Sequence, residues 1–301
     1  MNLPTPLERA PDLMPGREIW LKREDLHELG AFKWRGALPA LEAFRARGAA
    51  GVVTASTGNH GAATAWAGRR LGLEAIVFAP ENASRAKLAL IERHGGKVRL
   101  HGSDLDDAKE EAVAFARKRG FPFFEDGAEP AQYEGYGSIG IEILGQAAGP
   151  PAAVVVPVGN GALIGGIGLA VKERSPSTTV VGVVAEQAPV MALSWEAGAP
   201  VPCDRMATFA DGLAVRVAIP RAVETMRRVV DRVVLVSERE IASAVGAYAR
   251  CGVRAEGAAA AALAALARVA DSGPAVVVVT GGNIDEETYR RAVSSPESFP
   301  A

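Results

Sequence analysis

Cysteine is almost absent from this chain: its 301 residues contain two, Cys203 and Cys251. They form no CxxC pair and have no histidine cluster beside them, so both read as reduced thiols rather than parts of a disulfide framework or zinc site. An excess of either charge is lacking too. Lys and Arg number 33 against 35 Asp and Glu, a formal net charge of −2, with no basic or acidic tail. Nucleic acid and anionic membrane surfaces are therefore not expected partners. No apolar run approaches the roughly 18 residues of a membrane span, because Gly and Pro interrupt each one. The opening MNLPTPLERAPDLMPG has no basic start leading into an apolar stretch, so it is not a signal peptide. A cytoplasmic protein with a small-molecule partner is expected.

What is present is an alternation of short β-branched runs with alanine-rich helical stretches. Strands are predicted at Ile19 to Lys22, Gly51 to Thr54, Ala75 to Phe78, Lys97 to Leu100 and Pro122 to Phe124. Later ones are Ala153 to Pro157, Val180 to Val184, Arg232 to Val236 and Ala275 to Thr280. Runs such as VVVPV and AVVVVT are apolar at every position, as in strands covered on both faces of a parallel sheet. Helices are expected over 84–95, 104–120 and 237–252; the last opens with a capping-box pattern, Ser237 with Glu240. This is an α/β pattern. Strand clustering divides it into a small domain over 41–137, with four strands, and a larger one built from 1–40 plus 138–301.

Three glycine-bearing segments follow predicted strands: Ser56-Thr57-Gly58-Asn59-His60-Gly61, Gly159-Asn160-Gly161-Ala162-Leu163 and Gly281-Gly282-Asn283. In parallel α/β sheets, ligands bind outside the carboxyl ends of strands. The 159–163 loop leads into a helix, so its backbone N–H groups can approach an anion with help from the helix N-terminus. GNGALIGG has neither the GxGxxG spacing of a dinucleotide site nor GxxxxGK[ST], so the phosphate would belong to another ligand. By itself a glycine loop also serves tight packing. Lys33, between Phe32 and Trp34, is by composition a surface lysine; apolar neighbours can reduce the charge of such a lysine and make it nucleophilic.

The segment KREDLHELGAFKWRGA (22–37) resembles the lysine segment of the fold-type-II pyridoxal-phosphate (PLP) enzymes, the threonine dehydratase, serine racemase and threonine synthase group. STGNHG resembles that family's substrate loop, PVGNGALIGG its phosphate loop, FADGLAV (209–215) its mid-chain segment and TGGNID (280–285) its pyridine-end loop. The matches run in family order from about residue 4 to residue 285. The resemblance implies two parallel-sheet domains of the tryptophan synthase β-subunit-like fold, the larger binding PLP and the smaller mobile, in a homodimer. It implies that Lys33 carries the cofactor as a Schiff base and then acts as the base at Cα. Phe32 would flank the cofactor, and Asn59 would hydrogen-bond its phenolic oxygen. Gly159, Asn160, Gly161, Ala162 and Leu163 would hold the phosphate, and Thr280 would face the pyridine nitrogen. Backbone N–H groups from Ser56 through Thr57, Gly58, Asn59 and His60 would hold the substrate carboxylate.

The chain also departs from that pattern. Ala31 stands where the family usually has Ser, and Tyr136 where dehydratases and racemases commonly have Gln. Thr57 keeps a hydroxyl where serine racemases place an acid on the cofactor face opposite the lysine; its plainer reading is a hydrogen bond to the loop or to the substrate carboxylate. Glu186 resembles the first acidic ligand of a divalent-metal site in some relatives, but Ala192 occupies the second carboxylate's place, so no metal is expected. Glu129 and Glu256 sit at family-like positions and read as structural ion-pair partners. His60 reads as an orienting partner rather than a base. The chain ends soon after TGGNID, without the regulatory domain of allosteric threonine dehydratases.

A neutral hydroxyl at Thr280 would not hold a proton on the pyridine nitrogen, which favours loss of a β-substituent over transamination. The implied reaction is an ammonia-lyase (dehydratase) converting L-threonine, L-serine or a 3-substituted serine to a 2-oxo acid and ammonia. An amino-acid racemase using Thr57, a threonine synthase-like lyase and a PLP-carrying protein without catalysis are the alternatives.

Overall fold

The computed structural model describes residues 4–269 and 273–301. In chain order its first elements are β1 (Leu7–Arg9), β2 (Ile19–Arg23), α1 (Trp34–Ala46), β3 (Gly51–Ala55), α2 (Asn59–Leu71), β4 (Glu74–Ala79), α3 (Arg85–Arg93), β5 (Lys97–Leu100), α4 (Leu105–Arg119) and α5 (Pro130–Gln146). Then come β6 (Ala153–Pro157), α6 (Ala162–Arg174), β7 (Thr179–Ala185), α7 (Val190–Ala197), α8 (Pro220–Val229), β8 (Arg232–Val236), α9 (Glu238–Arg250), α10 (Gly257–Ala264), β9 (Ala275–Val279) and α11 (Glu286–Ser294).

The chain divides into two compact units, Lys33–Gly135 and Met1–Phe32 with Tyr136–Ala301. The first division falls at Phe32 rather than near residue 40, because α1 runs unbroken from Trp34 to Ala46 and packs on α2. By its contacts Lys33 groups with the smaller unit.

The smaller unit holds a parallel three-stranded sheet in the order β3-β4-β5. Val53, Ile76 and Phe78 pack there against Ala108, Ala112 and Ala116, which recur every four residues along one face of α4. Asp104 caps α4 by accepting from the N–H groups of Asp106 and Asp107, and Gly120 closes it at φ 66°. The expected fourth strand at Pro122 to Phe124 is a single parallel bridge, Val53 to Phe123. Pro122 has no N–H to donate, and pairing is confined to Val53 N–H with Pro122 O and Phe124 N–H with Val53 O.

The larger unit holds a six-stranded sheet in the order β1-β2-β9-β6-β7-β8, parallel except for β1. β6 and β9 are buried at every residue, as their unbroken valine runs predict. β1, at the antiparallel edge with Leu7 half-buried and Glu8 and Arg9 exposed, carries no such pattern and escapes sequence reading. The Ser237 capping box at the start of α9 is present with both reciprocal bonds. No helix among the described residues is long and apolar enough to cross a membrane.

Candidate active site

In the smaller unit, Lys33 immediately precedes α1 with helical φ −59° and ψ −22°. Its Nζ lies 2.5 Å from Asp126 Oδ2. Asp126 follows the Phe123 bridge and is clamped from α5, whose Gln132 donates to Oδ1 at 3.1 Å. The same Gln132 accepts from Gly127 N–H at 2.8 Å, so one buried amide holds both the carboxylate and its loop. Burial pushes the Asp126 carboxyl up, but the Lys33 charge, first among the opposing causes, and the bonds from Lys33 and Gln132 outweigh it; His60 adds to the lowering only where its ring is protonated. The net result lies well below the usual carboxylate range. Sequence reading passed over Asp126. The signal was there, since Asp126-Gly127 follows a strand-like run at the same end of the unit as the 56–61 loop.

That loop joins β3 to α2. Ser56 donates its N–H to Phe78 O, and its hydroxyl accepts from Gly58 and Gly61 N–H at 3.2 and 3.1 Å. Two of the backbone donors expected for a substrate carboxylate, those of Ser56 and Gly58, are thus engaged in the loop itself. Thr57, Gly58 and Asn59 are half-buried, and Asn59 opens α2. His60 is buried, with Nε2 3.0 Å from Thr54 Oγ1 and Nδ1 3.5 Å from Asp126 Oδ1. Desolvation lowers its pKa below 6.5 despite the Asp126 charge, with Lys33 adding to the lowering, so the ring is neutral at pH 7.

In the larger unit, β6 ends at Pro157 and the chain turns through Gly159, Asn160 and Gly161 into α6, which starts at Ala162. A Cβ on Gly159 would stand 2.2 Å from the carbonyl oxygen of Gly212, in the FADGL turn. Gly161 has φ +87°, and a Cβ there would meet Met226 Sδ at 2.8 Å. Both glycines are demanded by backbone and packing. Asn160 Oδ1 accepts from Ala162 N–H at 3.1 Å; Ala162 and Leu163 are buried.

β9 ends one residue before Thr280, which is 2% exposed. Its backbone carbonyl accepts from Phe32 N–H at 3.0 Å, while its Oγ1 is buried and has no hydrogen-bond partner. An unmade bond at a buried hydroxyl costs about 1–3 kcal/mol, so such an atom calls for a ligand. Phe32 itself is buried, with its ring centroid 5.2 Å from that of Tyr136. A phosphate cradle at a helix N-terminus and an orphaned neutral hydroxyl fit the two ends of PLP.

The chain belongs to the pyridoxal-phosphate dependent enzyme family. The family's pattern matches residues 2–281. An L-threonine ammonia-lyase of Geobacter sulfurreducens is 40% identical over 278 residues, 91% of this chain and 69% of that protein. Against some longer threonine dehydratases, the chain spans less than half of the relative's length. The processed form of threonine deaminase isoform 2 from Solanum lycopersicum superposes with a TM-score of 0.91 at 30% identity, covering 97% of this chain and 88% of that one. Maize serine racemase superposes with a TM-score of 0.90 at 26% identity, covering 98% and 93%. The α/β fold with parallel sheets is the fold of these proteins. Ala192, on α7, is buried.

Proposed function

We propose that the chain is a PLP-dependent ammonia-lyase that converts a 3-hydroxy amino acid, L-threonine or L-serine, to a 2-oxo acid and ammonia. The observation that carries the reading is the buried, unpartnered Thr280 hydroxyl. With that neutral hydroxyl against its pyridine end, PLP would supply an electron sink that acidifies the Cα proton and favours β-elimination over transamination.

The residues take the following parts. Lys33 Nζ anchors the cofactor and, once released, accepts the Cα proton. The N–H groups of Gly159 to Leu163 and the start of α6 hold the phosphate, with Asn160 Oδ1 giving up Ala162 N–H to it. Asn59 would meet the phenolic oxygen, and Phe32 would pack beside the cofactor. The backbone around Thr57, Asn59 and His60 takes the substrate carboxylate. Loss of the β-hydroxyl as water, followed by hydrolysis of the enamine, gives the 2-oxo acid and ammonia. No metal enters. A homodimer and a cytoplasmic location accompany this reading, and sedimentation tests the former.

Incubation of the PLP-loaded protein with L-threonine and L-serine should yield 2-oxobutanoate and pyruvate; absence of both would refute the proposal. Racemisation is the second reading. It draws on the half-buried Thr57, whose hydroxyl could serve as an acid on the opposite cofactor face. Deuterium uptake with inversion at Cα, lost in Thr57→Ala, would favour it.

A further inference from the structure

The contact between Lys33 and Asp126 has no part in the chemistry assigned so far. Lys33 Nζ and Asp126 Oδ2 are 2.5 Å apart, with side chains 16% and 26% exposed. The loop bearing the carboxylate is built to stay in place. Gln132 binds Oδ1 and the N–H of Gly127, and Tyr133 donates its hydroxyl to Gly127 O at 2.9 Å.

His60 is the other group against Asp126, and desolvation keeps its ring neutral at pH 7. The Thr54 hydroxyl gives its hydrogen to Phe124 O at 2.8 Å, so toward His60 it can only accept. Nε2 also faces Phe124 O, at 3.4 Å. Acceptors thus face both ring nitrogens, Thr54 Oγ1 and Phe124 O at Nε2 and Asp126 Oδ1 at Nδ1, and a neutral ring can donate to only one side. A neutral ring does not neutralise Asp126. Glu125, next in the chain, is paired with Lys109 of α4. Within this unit, then, the groups facing the carboxylate are the Lys33 cation, the neutral His60 and the neutral Gln132.

We propose that Asp126 is the positioning counter-ion of Lys33: it orients Nζ and holds a proton on that nitrogen, both in the cofactor-free protein and after the cofactor is attached through it. The inference rests on the reading of Lys33 as the cofactor lysine. Attaching the cofactor removes the free ammonium but not the carboxylate, which is held by Gln132 independently of Lys33. A fixed negative charge beside a nitrogen that can bind a proton favours the protonated form, most strongly where water is partly excluded. The protonated linkage is the electrophilic one, so Asp126 would ready it for the incoming amino group of the substrate.

The test uses the full chain as wild type, Asp126→Asn and Asp126→Glu. In cofactor-free protein at neutral pH, acylation of Lys33 by acetic anhydride is followed by peptide mass spectrometry, with the exposed Lys118 as internal standard. Relative to Lys118, Lys33 should react about tenfold faster in Asp126→Asn and close to the wild-type rate in Asp126→Glu. In the PLP-loaded proteins, the long-wavelength band of the protonated linkage should titrate about one pH unit lower in Asp126→Asn and recover in Asp126→Glu. Unchanged acylation and an unchanged titration in Asp126→Asn overturn the proposal. Should Asp126→Asn not fold, Asp126→Glu decides, since acylation well above wild type would show that a carboxylate there does not govern Lys33. A wild-type chain that shows no band with PLP refutes the functional reading alone, and the acylation result still judges the pair.

Discussion

Phe32 donates its backbone N–H to the carbonyl of Thr280 at 3.0 Å, tying the residue before the lysine to the end of β9. The neighbouring contacts extend the join. Ala31 bridges Gly281, Gly282 N–H donates to Gly30 O at 2.9 Å, and Asn283 Nδ2 donates to Leu29 O at 2.8 Å. The TGGNID segment thus holds the backbone of residues 29–32 through four contacts. Gly281 is required here, since a Cβ would come within 2.9 Å of Glu256 Oε1 and 3.0 Å of Gly30 O.

Lys33→Ala should fold, because the residue precedes α1 without a side-chain cap. It should lose the visible cofactor band and at least about a thousandfold in turnover, the scale of a missing nucleophile and base. Absorbance and 2-oxo acid assays on the same preparation check both. A band that survives would place the cofactor on another lysine.

Thr280→Val replaces the orphaned hydroxyl with a methyl group of similar size. In cofactor-free protein this should leave stability unchanged or raise it by up to about 1 kcal/mol, since no hydrogen bond is lost. With PLP the direction reverses, and cofactor affinity should fall roughly tenfold, the worth of one hydrogen bond. Urea unfolding with and without PLP reads both signs.

Gly159→Ala drives a methyl group against Gly212 O at 2.2 Å, backbone against backbone, where no side chain can move aside. The expected cost is about 1–3 kcal/mol together with weakened phosphate binding. Gly161→Ala carries a left-handed penalty of about 1–2 kcal/mol and must also displace Met226 and Met191. Thermal melts and PLP titration measure each.

The pH dependence of stability should carry a His60 component. Its pKa is lowered in the folded chain by burial, so below about 6.5 the unfolded chain takes up a proton that the folded one refuses. Stability is then lost as pH falls through 6.5, with a slope of at most about 1.4 kcal/mol per pH unit. Asp126, lowered in the folded chain, acts further down. Its contribution is present above the unfolded carboxyl value, about 3.9, and is lost as pH falls through it. Urea unfolding of wild type and His60→Asn between pH 7.5 and 5 isolates the first component. Parallel curves would mean that His60 is not held neutral.

Much of the α/β pattern was legible because it is written locally. The valine runs of β6 and β9 have no polar face, and the Ser237–Glu240 box uses residues three positions apart. Pro122 to Phe124 misled for the same reason: its apolar residues suit a strand, but pairing is decided by the partner's free N–H and C=O groups. Asn59 and Thr280 were identified by resemblance to a family, which also raised Lys33 above an ordinary surface lysine; the 159–163 loop was already a candidate anion cradle by its place between strand and helix.

The sequence by itself determined the parallel sheets, the glycine loops at strand ends and the lysine between Phe32 and Trp34. Tertiary structure alone decided that Asp126, 93 residues away, pairs with that lysine. It also decided that Gly159 must be glycine because of Gly212, and that the Thr280 hydroxyl is buried without a partner. Helix caps and strand patterns depend on neighbours along the chain, which a sequence displays. Ion pairs, close backbone approaches and orphaned polar atoms depend on neighbours in space, and those exist only once the core has closed.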